Sequence, residues 1–147
     1  MDRKAIARDY HAKGFNCAQS VFSAFEDLTG MPCETSLTVA AGFGGGLRQG
    51  EICGAASGAV MALGVMFPFN DASDAPAKQK IAELSVEYLG LFRTKCGHLT
   101  CRDLLGCDTS TPEGAKHNAE FGISRKLCPG IIDNAVEALE ELVAKHK

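Results

Sequence analysis

Seven cysteines stand among 147 residues, and four of them sit where chemistry is expected. Cys17, Cys53, Cys101 and Cys128 each follow a helix-start signal. Asn16-Cys17-Ala18-Gln19 offers an N-cap residue with glutamine three places on, the pattern of a capping box. Gly50-Glu51-Ile52-Cys53-Gly54 closes a glycine-rich stretch and opens an apolar run. Thr100-Cys101-Arg102-Asp103 is like a capping box, and Cys128-Pro129 puts proline in the predicted first turn of the last helix. A helix N-terminus carries partial positive charge and unpaired N–H groups. A cysteine there tends to ionise early and to react as thiolate. Four such positions point to thiolate chemistry with electrons or a metal. The alternative for any one cysteine is a small buried hydrophobe. Cys33 and Cys96 fit that alternative, and Cys107 fits either.

Other chemistry finds less support. Gly42-Phe43-Gly44-Gly45-Gly46-Leu47-Arg48-Gln49-Gly50 invites a nucleotide reading, but Glu51-Ile52 follows where a P-loop needs Lys and Ser/Thr. No strand precedes it, as a dinucleotide fingerprint requires. It reads either as a turn between helices or as a nest whose N–H groups, at Gly45 and Gly46 above all, donate to a sulfur or anion beside Cys53. Cys96-Gly97-His98-Leu99-Thr100-Cys101, with Cys107 beyond, lacks the tight paired spacing of zinc sites. His11, His117 and His146 lie in polar surroundings and read as surface residues.

The elements that must position the four cysteines are helices. Apolar residues recur at helical period over 2–13, 17–28, 34–43, 76–96 and 129–145. The segment Gly54 to Phe67 is uncharged, with Gly54, Gly58 and Ala62 at four-residue spacing. It reads as a central helix packed closely by neighbours, and the most buried of all. Residues 101–105 make about one turn, and 106–122 read as a mobile polar segment with room for a helix after Pro112. No period-two run, hairpin dipeptide or repeat appears. The expectation is an all-α bundle of about six or seven helices, with 1–147 as one domain.

Composition narrows the function. Net charge is -3 and there is no basic run, which argues against nucleic acid. No apolar leader opens the chain and no segment is apolar enough to span a membrane. With an odd cysteine count, this predicts reduced thiols, a metal site or a redox switch in the cytoplasm rather than a disulfide framework.

Laid out in order, these motifs resemble the C-GCAxxG-C-C family of redox-active proteins. The matching residues are Gly14-Phe15-Asn16-Cys17-Ala18, Gly42-Phe43-Gly44-Gly45-Gly46, Cys53-Gly54-Ala55-Ala56-Ser57-Gly58, Cys101-Arg102-Asp103-Leu104-Leu105 and Cys128. The likeness covers nearly the whole chain. It implies a small redox protein, linked to a transport system through genes often found near transporters, with the four cysteines as its redox-active set. Cys33, Cys96 and Cys107 lie outside the pattern. The expected function is electron transfer or redox sensing through an iron–sulfur cluster, [2Fe–2S] being the simplest fit to four thiolates. The alternatives are a cofactor-free thiol–disulfide protein and a four-thiolate zinc module. An unknown redox partner is implied, and a homodimer is left open.

Overall fold

The computed structural model describes residues 2–146. Among them run α1 (Arg3–Ala12), α2 (Cys17–Ser23), α3 (Glu26–Thr29), α4 (Cys33–Val39), α5 (Gly54–Met66), α6 (Ala75–Cys96), α7 (Cys101–Leu105), α8 (Pro112–Phe121) and α9 (Ile123–His146). The described residues contain no strand, only one isolated antiparallel pairing, Ile52 with Thr100. The fold is all-α, as the periodicity predicts. Among the described residues, no helix is long and apolar enough to cross a membrane.

Local chemistry sets most helix starts. Asp2, Asp74 and Thr111 accept from Ala5, Ala77 and Gly114 N–H groups, satisfying donors that the first turn leaves free. Gly30, Gly97, Gly106 and Gly122 close α3, α6, α7 and α8 in the left-handed conformation that glycine adopts without steric cost. The helix for which the sequence leaves room after Pro112 is α8, Pro112–Phe121.

The core lies between the two long helices and the central pair. Leu84, Tyr88 and Phe92 of α6 meet Ile132, Val136, Leu139 and Leu142 of α9. The Tyr88 hydroxyl donates to the Ala135 carbonyl at 2.9 Å. Helix α5 has no exposed residue, as its composition predicts, but neither has α2, which buries five residues of its seven. The central element is thus the α2–α5 pair. Gly58 makes it possible: a Cβ there would collide with the Ala18 carbonyl oxygen.

Helix α1 docks on α9 through charged pairs in antiparallel register. Arg3 meets Glu140 at 2.6 Å, Lys4 meets Glu137 at 3.0 Å and Arg8 meets Asp133 at 2.6 Å. Each such surface pair adds at most about 1 kcal/mol, but together they fix how α1 lies. One turn further along, His11 comes level with Cys128.

Three boundaries differ from the periodicity. The run 17–28 is two helices, because the chain breaks at Ala24 and Phe25, where Phe25 turns fully into the core. Helix α4 starts at Cys33 and stops at Val39. The last helix begins at Ile123, with Pro129 inside it. Cys128 is therefore not at a helix start, and the macrodipole argument does not apply to it.

Candidate thiol and metal centre

Cys17 opens α2 under a complete capping box. The Asn16 side chain accepts from Gln19 N–H at 2.8 Å, and the Gln19 side chain accepts from Asn16 N–H at 2.9 Å. Both side chains also donate outward: Asn16 to the Ala41 carbonyl at 3.1 Å and Gln19 to the Leu37 carbonyl at 2.9 Å. The start of α2 is thereby pinned to the end of α4. Gly44 follows so closely that a Cβ on it would lie 2.8 Å from the Asn16 Cβ.

Cys53 is the N-cap of α5. Gly54 and Gly58 admit the backbone of Ala18, the residue after Cys17. The close α2–α5 contact is thus what brings Cys17 and Cys53 together. Cys101 opens α7, whose N-cap Thr100 accepts from Asp103 N–H. Cys53 and Cys101 are joined across the Ile52–Thr100 pairing. Cys53 N–H donates to the Leu99 carbonyl at 2.8 Å, and Cys101 N–H donates to the Glu51 carbonyl at 2.7 Å. Arg102 straps the same junction, donating to the Gly50 carbonyl at 3.2 Å and to Glu51 Oε1 at 2.7 Å.

Cys17, Cys53, Cys101 and Cys128 line one cavity of about 470 Å³. Leu104, Leu105 and Ile131 supply its apolar wall, while Asn16, Thr109, Ser110, Asn118 and Ser124 supply polar groups. No carboxylate is among the lining residues; the charged or ionisable ones besides cysteine are Arg48 and His11. The donor atoms of His11, Cys17 and Cys128 lie within 4.8 Å of one another.

Arg48 reaches the cavity from a strained segment. Gly45, Gly46, Leu47 and Arg48 all have φ near +60°, making a left-handed turn closed by Glu51 N–H on the Gly46 carbonyl at 3.1 Å. Such geometry costs an L-residue about 1–2 kcal/mol, which Leu47 and Arg48 both bear. Gly45 lines the cavity. Gly46 does not: it is buried against the Glu51 backbone, which a Cβ would strike.

The proton affinities reverse the helix-start expectation. Burial pushes the Cys53 thiol up to about 12, although the Ala55 and Ala56 N–H groups donate to its sulfur. Cys17 is raised because it donates to Cys128 and is buried. Cys101 is raised by burial and by Cys128, against a hydrogen bond from Thr109. Only Cys128 is lowered, because the Cys17 thiol donates to it. The one cysteine that ionises early is the one inside a helix. The Cys17 thiol donates to the Cys128 sulfur, which favours the thiolate form of Cys128 over that of Cys17. Burial holds the His11 imidazole below its ordinary value, which favours the neutral, ligating form.

A family model described as "Putative redox-active protein (C_GCAxxG_C_C)" matches residues 15–142. The chain belongs to this family. No curated protein and no solved structure matches the chain. The two glycines after Cys53, Gly54 and Gly58, have a direct physical reason, since a Cβ on either would meet the Ala18 backbone. Of the cysteines outside the four, Cys33 opens α4 beside the Tyr10 hydroxyl, Cys96 lies by Asn134, and Cys107 neighbours Cys101. His11 and Arg48 were not singled out by the sequence. Each reaches the cavity through tertiary register or backbone strain, neither of which leaves a local motif.

Proposed function

We propose that Cys17, Cys53, Cys101 and Cys128 hold an iron–sulfur cluster of the [2Fe–2S] type and that the protein transfers or senses electrons through it. The observation that carries this reading is that all four cysteines, from four separate helices, line one cavity. The donor set fits in kind and in arrangement. A [2Fe–2S] cluster takes two thiolates on each iron. Here Cys17 and Cys128 form one hydrogen-bonded pair, and Cys53 and Cys101 are joined across the Ile52–Thr100 pairing. The close donor group contains Cys17, Cys128 and His11 but neither Cys53 nor Cys101, which supports two paired positions over one four-thiolate zinc. When bound, the cluster supplies one-electron transfer. The chain's own groups then tune the sulfurs: Ala55 and Ala56 N–H donate to Cys53 and Thr109 donates to Cys101, and such donors raise the potential.

The test is iron and acid-labile sulfide analysis after purification without oxygen, on the parent and on four single Cys→Ala variants. Each variant is expected to lose iron, while C33S and C96S keep it. Iron retained in all four variants, or absent from the parent, refutes the cluster. A second reading is favoured by the Cys17–Cys128 hydrogen bond. In it Cys128 thiolate attacks a disulfide and Cys17 resolves the mixed disulfide, so that two thiols give up two electrons and two protons to the partner disulfide. Free thiols lost strictly in pairs, with no iron, support it.

A further inference from the structure

The four cysteines are not equivalent in the cavity. The Cys53 sulfur is engaged by the α5 N-terminus, and Cys101 is engaged by Thr109. Cys17 and Cys128 instead face His11, a residue on a third helix. We infer that His11, Cys17 and Cys128 form a site for a single zinc-like divalent cation, with one coordination position left open to the cavity.

Geometry carries the inference. The three donor atoms lie within 4.8 Å of one another. A tetrahedral ion with metal–sulfur bonds of ~2.3 Å and metal–nitrogen bonds of ~2.0–2.1 Å sets its donors ~3.5–3.8 Å apart. The difference, ~1 Å, is within the reach of side-chain rotation. Charge agrees. Two thiolates and one neutral imidazole around a divalent cation make a neutral group, suited to a half-buried setting. No carboxylate lines the cavity, so hard oxygen-seeking cations lack a charged ligand there, while sulfur and imidazole suit zinc and its mimic cobalt. Three protein donors with an open fourth position are the arrangement of zinc sites that bind water or substrate, whereas structural sites close with four. The open position faces a cavity of about 470 Å³ carrying Thr109, Ser110, Asn118 and Ser124. The scaffold is specific as well. The Arg3, Lys4 and Arg8 pairs with α9 set the register that puts His11 beside Cys128, and the Asn16–Gln19 box fixes Cys17.

The inference does not rest on the cluster reading. Cation and cluster would share Cys17 and Cys128, so the cation fills its site only in protein that carries no cluster. Metal-free, reduced protein is titrated with Co²⁺ without oxygen, and the sulfur-to-cobalt charge-transfer band is followed. One equivalent is expected to bind. C53A and C101A should bind as the parent does. H11A, C17A and C128A should weaken binding by more than ~10-fold, the loss expected even for an outer-shell partner. No sulfur–cobalt band, parent-like binding by H11A, or equal loss in C53A and C101A overturns the site. X-ray absorption of the zinc-loaded parent needs no variant. Two sulfurs and one imidazole are expected; three or four sulfurs overturn it. Iron analysis of the same variants reports separately on the cluster, so one reading can fail while the other stands.

Discussion

Replacing Gly58 by alanine tests the contact that joins Cys17 to Cys53. In an open helix the change is favourable, because alanine exceeds glycine in helix propensity by about 1 kcal/mol. At Gly58 the added methyl would strike the Ala18 carbonyl oxygen and lie 3.0 Å from the Ala18 Cα and 3.1 Å from its carbonyl carbon. These are backbone atoms, which cannot rotate away, so α2 must move. Overpacking costs about 1–3 kcal/mol, and a backbone clash belongs at the upper end. The net effect is a loss of about 2 kcal/mol. For a chain of this size that lowers Tm by about 6 °C. Gly90, exposed within α6, has nothing within 4 Å of its would-be Cβ. Gly90→Ala should therefore raise Tm by about 3 °C. The same substitution gives opposite signs at two helical glycines, read by thermal unfolding. Gly58→Ala as stable as the parent, or more stable, would refute the close-approach argument. Because Ala18 follows Cys17, the cluster proposal requires that this variant also lose iron.

Asn16→Ala removes an N-cap and the bond to the Ala41 carbonyl, and should cost about 1–2 kcal/mol in urea unfolding. Tyr88→Phe removes the buried bond to Ala135 and should cost about 1 kcal/mol by the same assay. Arg3 holds the Asp27 carboxyl below the ordinary aspartate value, so the stability it contributes is complete above that ordinary value and is lost as pH falls through the depressed one. Asp27→Asn should flatten the acid limb of the urea midpoint; an unchanged limb counts against the Arg3 pairing. In metal-free protein at neutral pH, iodoacetamide should alkylate Cys128 before Cys53, whose thiol is held at about 12; mass spectrometry reads the order.

The helices were largely legible because the apolar period survives in each; the Asn16–Gln19 box forms in full, and Thr100 caps α7 by accepting from Asp103 N–H. Phe25 shows the limit. Its spacing from Val21, Phe22 and Leu28 fits one helix, yet the chain breaks there to bury its ring, and periodicity does not register a break that keeps phase. Pro129 shows another. Proline usually opens helices, and Ser124-Arg125-Lys126 before it carries no apolar stripe, so six residues of α9 read as loop. The cysteine positions were legible but their ionisation was not. A helix terminus contributes about 0.3–1 kcal/mol at a surface. Full burial shifts a thiol by up to 3–5 pKa units, each worth about 1.4 kcal/mol. Burial therefore wins at Cys53 and Cys101, while at Cys17 the hydrogen bond to Cys128 leads and burial adds to it; sequence reveals neither which termini are buried nor which thiols meet. His11 was misread because only the register of α1 on α9 brings it inward.

The Ile52–Thr100 pairing has a kinetic consequence. Two amide bonds, from Cys53 to Leu99 and from Cys101 to Glu51, hold together segments that meet only after α5 and α6 have packed. Parting them melts no helix. It separates Cys53 from Cys101 at a free energy well below that of global unfolding, as local openings do. The Cys53 and Cys101 amides should therefore exchange with deuterium faster than those of Leu139 or Val136 in the core, and slow together when the centre is filled. Their exchange rates report how often the junction between Cys53 and Cys101 parts.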